Sequence, residues 1–242
     1  MISVCVATFN GEKYIKEQLI SILSQLKKDD EIIISDDGST DTTLDIIAKL
    51  QDSRIKVVHR TTTKKYRYGF DIVTHNFENA LLHARGELIF LSDQDDLWLP
   101  NKVAAMEVAL RTHLLALSDC KVSNENLQIT HKSYFELNGL HTSILGNLVK
   151  NSFLGSCMAF RRELLHKAIP FPRQLVPHDI WLGLLALHYG KVAYLRIPLI
   201  IYRRHSGTTS TSCNRSTFSL WLKIKLRIYC LSALIERIIR NK

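Results

Sequence analysis

With 242 residues, 46% of them apolar and 23% charged, the chain can bury the core of one large domain or two small ones, and one domain with a tail is expected. Five scattered cysteines (Cys5, Cys120, Cys157, Cys213, Cys230) form no CxxC pair, which excludes a disulfide scaffold and fits reduced thiols in a cytosolic compartment. The net charge is +9, but residues 203–242 hold nine Lys or Arg against one acid, so the rest is nearly neutral; this argues against nucleic-acid binding and for an enzyme with a basic docking element.

The first half alternates short apolar runs with helical patterns. Strands are predicted at Ile2 to Thr8, Glu31 to Ser35, Ile55 to His59 and Leu88 to Ser92, and helices at Lys13 to Leu26, Thr42 to Leu50 and Asn76 to Ala84. Such alternation predicts a parallel sheet with helices on both faces, and ligands then bind beyond the carboxyl ends of the strands. Because Ile2 to Ala7 already reads as a buried strand, no secretory leader is expected. Further on, Asn101 to Thr112 reads as a helix, Leu114 to Ser118 as a strand, and residues 119–141 as a polar stretch without assignment. Ser152 to Phe160 reads as a strand, Asp179 to Tyr189 as a helix, and Lys191 to Arg203 as one or two strands broken at Pro198.

Two acidic clusters fall at predicted strand ends. In Ser35-Asp36-Asp37-Gly38-Ser39-Thr40-Asp41, the last four residues read as a turn and helix cap. A turn does not account for Asp36 and Asp37, whose carboxylates are placed to accept hydrogen bonds from a base and a ribose. In Ser92-Asp93-Gln94-Asp95-Asp96, three carboxylates within four residues repel one another, and a hard cation is the usual reason to tolerate this. The apolar run Leu97-Trp98-Leu99 argues against a solvated loop. A nucleotide at one cluster and its metal-bound diphosphate at the other is the joint reading. No GxGxxG follows the first strand and no GxxxxGK[ST] occurs, which argues against dinucleotide oxidoreductases and P-loop kinases.

Ala7-Thr8-Phe9-Asn10-Gly11, the Ser35 to Asp41 cluster, Gly86-Glu87, the Ser92 to Asp96 cluster and His178-Asp179-Ile180-Trp181, in this order, resemble the family 2 glycosyltransferases with the GT-A fold. The resemblance runs from about residue 2 to about residue 208. It implies a donor-nucleotide contact by Thr8, Phe9, Asn10, Asp36, Asp37 and Asp93, with Asp93 and Asp95 standing for the family's DxD at Mg²⁺ or Mn²⁺ and Asp95 the more direct ligand. Asp179 falls where the family places its catalytic base, within a segment reading His-Asp rather than Glu-Asp. His205, in Tyr202-Arg203-Arg204-His205, is implied at the metal or diphosphate. Trp181, Gly155, Ser156 and His178 are the expected acceptor contacts, although packing alone accounts for Trp181 and Gly155 nearly as well. An inverting reaction needs a carboxylate to accept the proton of the attacking hydroxyl and a cation to neutralise the departing diphosphate.

The resulting expectation is a GT-A α/β domain over residues 1–210, with a sheet parallel in most of its strands, followed by a basic amphipathic helix over residues 211–242. It would transfer a sugar from UDP-hexose or dTDP-rhamnose to a glycan, in lipid-linked form, during O-antigen or capsule synthesis. Within residues 217–240, Leu220, Trp221, Ile224, Ile228, Leu231, Ile235, Ile238 and Ile239 recur on one stripe with Lys223, Lys225, Arg227, Arg237 and Arg240 beside it. That pattern suits an anionic membrane interface at the cytoplasmic face of a bacterial cell, and the alternative is packing of the stripe on the domain or on a partner subunit. With an anchor alone in mind, a chain ending at Ser216 is expected to stay folded. Two other functions fit less of the sequence: a phosphotransferase with Asp93 as nucleophile and Asp95 as acid and base, and a non-catalytic regulator that retains the nucleotide pocket.

Overall fold

The computed structural model describes residues 1–60, 68–173, 176–207 and 219–240. Strands β1 (Ile2–Thr8), β2 (Glu31–Asp36), β3 (Ile55–His59) and β4 (Leu88–Asp93) pair in parallel in the order β3-β2-β1-β4. Their apolar runs are continuous because both faces are covered; Ile32, Ile33 and Ile34 are all buried. The crossovers are α1 (Ile15–Leu23), α2 (Thr43–Lys49) and α3 (Gly69–His83). Ile15, Leu19 and Ile22 recur on one face of α1 and are fully buried, while Lys16 and Ile20 face solvent. Register then sets the site. Thr8 lies opposite Asp36 and Ala7 opposite Asp93, so three strand ends finish along one edge.

Beyond β5 (Leu97–Trp98) and α4 (Lys102–Leu110), the sheet continues through β6 (Leu115–Ser123), with β7 (Ile129–His131) hairpinned onto it. Helices α5 (Tyr134–Asn138) and α6 (Ile144–Val149) and a 3-10 turn at Gly155–Cys157 lead to β8 (Met158–Arg161), α7 (Arg162–Ala168), α8 (His178–Tyr189) and β9 (Val192–Arg203). The strand order runs on from β4 as β8-β6-β9-β5, with β8 antiparallel to both neighbours and β9 parallel to β6. The expected α/β GT-A architecture is therefore present, parallel through its first four strands and mixed after them.

Several boundaries differ from the sequence reading. Helix α3 begins at Gly69, well before Asn76. The Ser152 to Phe160 segment is a turn before a short strand, since Gly155–Cys157 coils where it meets the strand ends. Pro198 does not break β9; Pro198 pairs with Asp119, and the irregularity is absorbed as register shifts between Ser118 and Lys121. The unassigned polar stretch is organised by buried Asp119, whose carboxylate accepts the N–H groups of Cys120, Tyr134 and Phe135 at 2.8 to 3.0 Å and the hydroxyl of Ser133 at 2.5 Å. One side chain thus satisfies the opening turn of α5.

The final helix, α9 (Leu220–Arg240), packs against α6 and α8. Its buried residues are Cys230 and Leu234, on the face beside the predicted stripe. Of that stripe, Leu220, Trp221, Ile224, Ile228, Leu231, Ile235 and Ile239 are exposed, Trp221 by 69%, while Ile238 is half-buried against the core. Arg237 lies over the Trp181 ring at 5.2 Å and donates to the carbonyls of Lys167 (2.6 Å), Ile169 (3.2 Å) and Pro170. These contacts make α9 part of the domain's packing. Ser216, Thr217, Cys213 and Arg215 lie outside the described residues. No described helix is long and apolar enough to cross a membrane.

Candidate active site

The strand ends, α6, the N-terminus of α8 and the inner face of α9 enclose a cavity of about 970 Å³. Thr8, Phe9 and Asp37, Asp93, Gln94 and Asp95, and Gly155, His178 and Asp179 all line it. Gln94, sequentially a spacer between two acids, ties the loops together. Its Oε1 accepts from Thr8 Oγ1 at 2.6 Å and Phe9 N at 3.0 Å, while Nε2 donates to Phe9 O at 3.0 Å.

Asp37 faces the cavity and is gripped by Arg60 through Nε at 2.7 Å and through Nη2. Its neighbour Asp36 turns the other way. Asp36 is buried and accepts from Gly38 N at 3.0 Å, Ser39 N at 2.9 Å and Ser39 Oγ at 2.5 Å, which fixes the turn where Gly38 takes a φ of +85°. The expected nucleoside contact by Asp36 is therefore corrected to a turn brace. Asn10, exposed beside Phe9, braces the same turn, its Oδ1 accepting from Thr40 N at 2.8 Å.

The three acids of the second cluster have separate environments. Asp95 meets His205 Nε2 at 2.8 Å, and the imidazole leans on the Tyr14 ring at 4.8 Å. Asp93 accepts from Ser156 Oγ at 3.0 Å; burial, and then the Asp95 carboxylate, push its carboxyl up to about 7. Asp96 is fully buried behind them and accepts from Arg203 N at 3.0 Å, with burial and then Asp95 holding its carboxyl far above the usual range. Ser156 is buried beneath Asp93 and off the cavity, so its expected acceptor contact is corrected to positioning. Under it lies fully buried Lys102, whose Nζ donates to Ser156 O at 2.6 Å and sits 4.6 Å from the Trp98 ring centroid.

Asp179 opens α8 at the cavity wall. Oδ1 accepts from Ile180 N at 2.7 Å and Oδ2 from Asn151 Nδ2 at 3.1 Å, while burial raises the carboxyl to about 6. His178 packs on Phe77 at 4.3 Å, its Nε2 is buried without a hydrogen-bond partner, and burial pulls the imidazole down to about 3, so it is neutral at physiological pH. Gly155 faces it closely: a Cβ there would stand 2.5 Å from His178 Nε2. Trp181 does not reach the cavity. It is 1% exposed and its indole N–H donates to Ala168 O at 3.1 Å, which corrects the expected sugar platform to a core residue.

The glycosyl transferase family 2 profile matches residues 3–168, more than half of the chain. The chain belongs to that family. A UDP-Glc:alpha-D-GlcNAc-diphosphoundecaprenol beta-1,3-glucosyltransferase of Escherichia coli, WfaP, is 27% identical over 243 residues, covering 96% of this chain and 91% of WfaP. A dTDP-rhamnosyl transferase of Shigella flexneri, RfbG, is 36% identical over 107 residues, 40% of this chain and 34% of RfbG. Among solved structures, TarS of S. aureus (residues 1–349, in complex with UDP-GlcNAc) superposes with a TM-score of 0.68 at 23% identity, covering 96% of this chain and 67% of that one. A Pyrobaculum calidifontis mannosyltransferase in complex with GDP-Man and Mn²⁺ superposes at 0.59 with 21% identity, covering 100% and 64%. The fold is GT-A, and the phosphotransferase reading of Asp93 and Asp95 gives way to glycosyl transfer.

In this glycosyltransferase, several site residues carried no local sequence signal. Arg60 reaches Asp37 across 23 positions and Asn151 reaches Asp179 across 28. Lys223, Leu226, Arg227 and Cys230 of α9 complete the cavity wall, although their segment reads from the sequence as a separate tail.

Proposed function

We propose that the enzyme is an inverting, divalent-cation-dependent transferase that moves a sugar from a UDP-hexose or dTDP-rhamnose donor to a lipid-linked glycan in bacterial surface-polysaccharide synthesis. One observation carries this: a carboxylate raised to about 6, Asp179, lines the same cavity as the Asp93 and Asp95 pair. Asp179 takes the proton of the acceptor hydroxyl as its oxygen attacks the anomeric carbon opposite the leaving diphosphate. Asn151 and the Ile180 N–H hold the carboxylate in place for that transfer. Asp95 and His205, paired at 2.8 Å, would hold Mg²⁺ or Mn²⁺ and leave positions open for phosphate oxygens, with Asp93 on the same cavity as a further carboxylate. A bound cation would supply the positive charge that stabilises the departing diphosphate. Thr8, Phe9 and Asp37 form the nucleoside end, and Gly155 and His178 the sugar wall.

The named activities of WfaP and RfbG support the donor classes, and WfaP supports a diphosphoprenol-linked acceptor. The exposed apolar face of α9 supports docking on an anionic membrane, with the enzyme peripheral on the cytoplasmic face of the cell membrane. Exposed Lys225 and Lys150 flank that face, and each basic residue near an anionic surface contributes about 1 kcal/mol. A thermal-shift panel of nucleotide sugars with Mn²⁺ tests the donor, followed by transfer assays with and without EDTA. A donor shift with no turnover under any condition would leave a non-catalytic binder and reject the proposal. For the membrane, Trp221→Glu with Ile228→Glu should abolish sedimentation with phosphatidylglycerol vesicles and keep the thermal transition; unchanged sedimentation rejects the assignment.

A further inference from the structure

The cavity is electrically divided. Its carboxylates, Asp37, Asp93, Asp95 and Asp179, come from the strand ends and α8, whereas its cations, Lys150, Lys223 and Arg227, come from the end of α6 and from α9. Arg227 is held in place by two of its five N–H groups, with Nη1 on Lys223 O at 2.7 Å and Nη2 on Val149 O at 2.5 Å. The remaining guanidinium edge is available to a phosphate. Cys230, one turn further along α9, lines the same cavity as Arg227 and Asp179.

The apolar surface begins beside these cations. Leu148, Val149 and Leu226 line the cavity, Val149 and Leu145 of α6 are 68% and 74% exposed, and the outer face of α9 continues the patch. A ligand seated here has an anionic head between Lys150, Lys223 and Arg227, a sugar reaching Asp179, and an apolar tail that leaves over α6 and α9. We propose that Lys150, Lys223 and Arg227 form a subsite for the diphosphate of a prenyl-diphosphate-linked acceptor, so that the helix resting on the membrane is also the wall that captures the acceptor. The proposal rests on the lipid-linked-acceptor reading above and adds the residues that recognise the linkage.

The test uses the full chain with its donor end filled by Mn²⁺ and the nucleoside diphosphate selected in the donor panel, so that added diphosphate reports a second site. Binding of farnesyl diphosphate, farnesol and inorganic pyrophosphate is measured by calorimetry, with phosphatidylglycerol vesicles as a competitor. Farnesyl diphosphate should bind at least tenfold more tightly than farnesol or pyrophosphate, because both ends of the subsite are then occupied. Lys223→Gln and Arg227→Gln should each weaken it about tenfold, while Arg227→Lys, which keeps the charge but not the two carbonyl contacts, should retain most of the affinity. Equal binding of farnesol, unchanged affinity in both glutamine variants, or loss in Arg227→Lys equal to that in Arg227→Gln would overturn the subsite. Full displacement by phosphatidylglycerol vesicles would reassign the cations to lipid headgroups. Absence of nucleoside diphosphate binding is read in the first step and counts against the glycosyltransferase reading itself, not against this subsite.

Discussion

Replacing Asp179 by Asn should make the enzyme both slower and more stable, and only in a defined pH window. Burial raises this carboxyl from 3.8 to about 6, so an ionised Asp179 costs the folded state about 3 kcal/mol at pH 8. The sign follows from the raised value: the folded state binds the proton more tightly than the unfolded chain, so stability from this group is full below pH 3.8 and lost as pH rises through about 6. Asparagine removes that loss but turns an amide N–H towards Asn151 Nδ2, which already donates to Phe153 O at 3.1 Å; this donor–donor contact takes back about 1–2 kcal/mol. The net gain is then about 1–2 kcal/mol at pH 8, close to zero near pH 5 and reversed to a net loss of about 1 kcal/mol near pH 4. Turnover should fall roughly 100-fold or more with donor affinity unchanged, and the wild-type rate should drop on the acid side of about 6. Urea denaturation of both proteins at pH 8, 5 and 4, with nucleotide release as the rate assay, measures all of this. A stability gain independent of pH, or near-normal turnover, would refute the assignment of Asp179 as the buried base.

Asp95→Ala should abolish metal-dependent transfer, by roughly 100-fold or more, while the thermal transition is kept, because a repelling carboxylate has been removed; full activity in EDTA or in this variant would disprove the metal site. Gly155→Ala should cost about 1–3 kcal/mol and most of the activity, since its Cβ would stand 2.5 Å from His178 Nε2, and adding His178→Ala should recover the stability but not the rate. A chain ending at Ser216 should unfold at markedly lower temperature and lose acceptor binding, because Trp181 loses the Arg237 cover and the cavity loses its α9 wall; an unchanged transition would show that α9 is dispensable.

The sequence by itself determined the first four strands, the two acidic clusters and the position of Asp179. Each is a local signal: a β-branched run is buried on both faces wherever it is placed in a parallel sheet, and a carboxylate pair directly after such a run has to finish at the sheet's carboxyl edge. Tertiary structure decided which member of each pair does what. Asp36 and Asp37 are neighbours, but pleating sends one into the turn and the other towards Arg60 and the cavity. Asp96 is withdrawn onto the Arg203 backbone, whereas Asp95 meets His205 from 110 positions away. Trp181 at a helix start reads equally as platform or core, and only the packing of α7 and α9 around it settles the matter. The same holds for α9. Its apolar periodicity was legible, but a helix with apolar residues on two sides can bury either, and the less conspicuous face carrying Cys230 and Leu234 packs because α6 and α8 offer it a matching apolar surface beside the site.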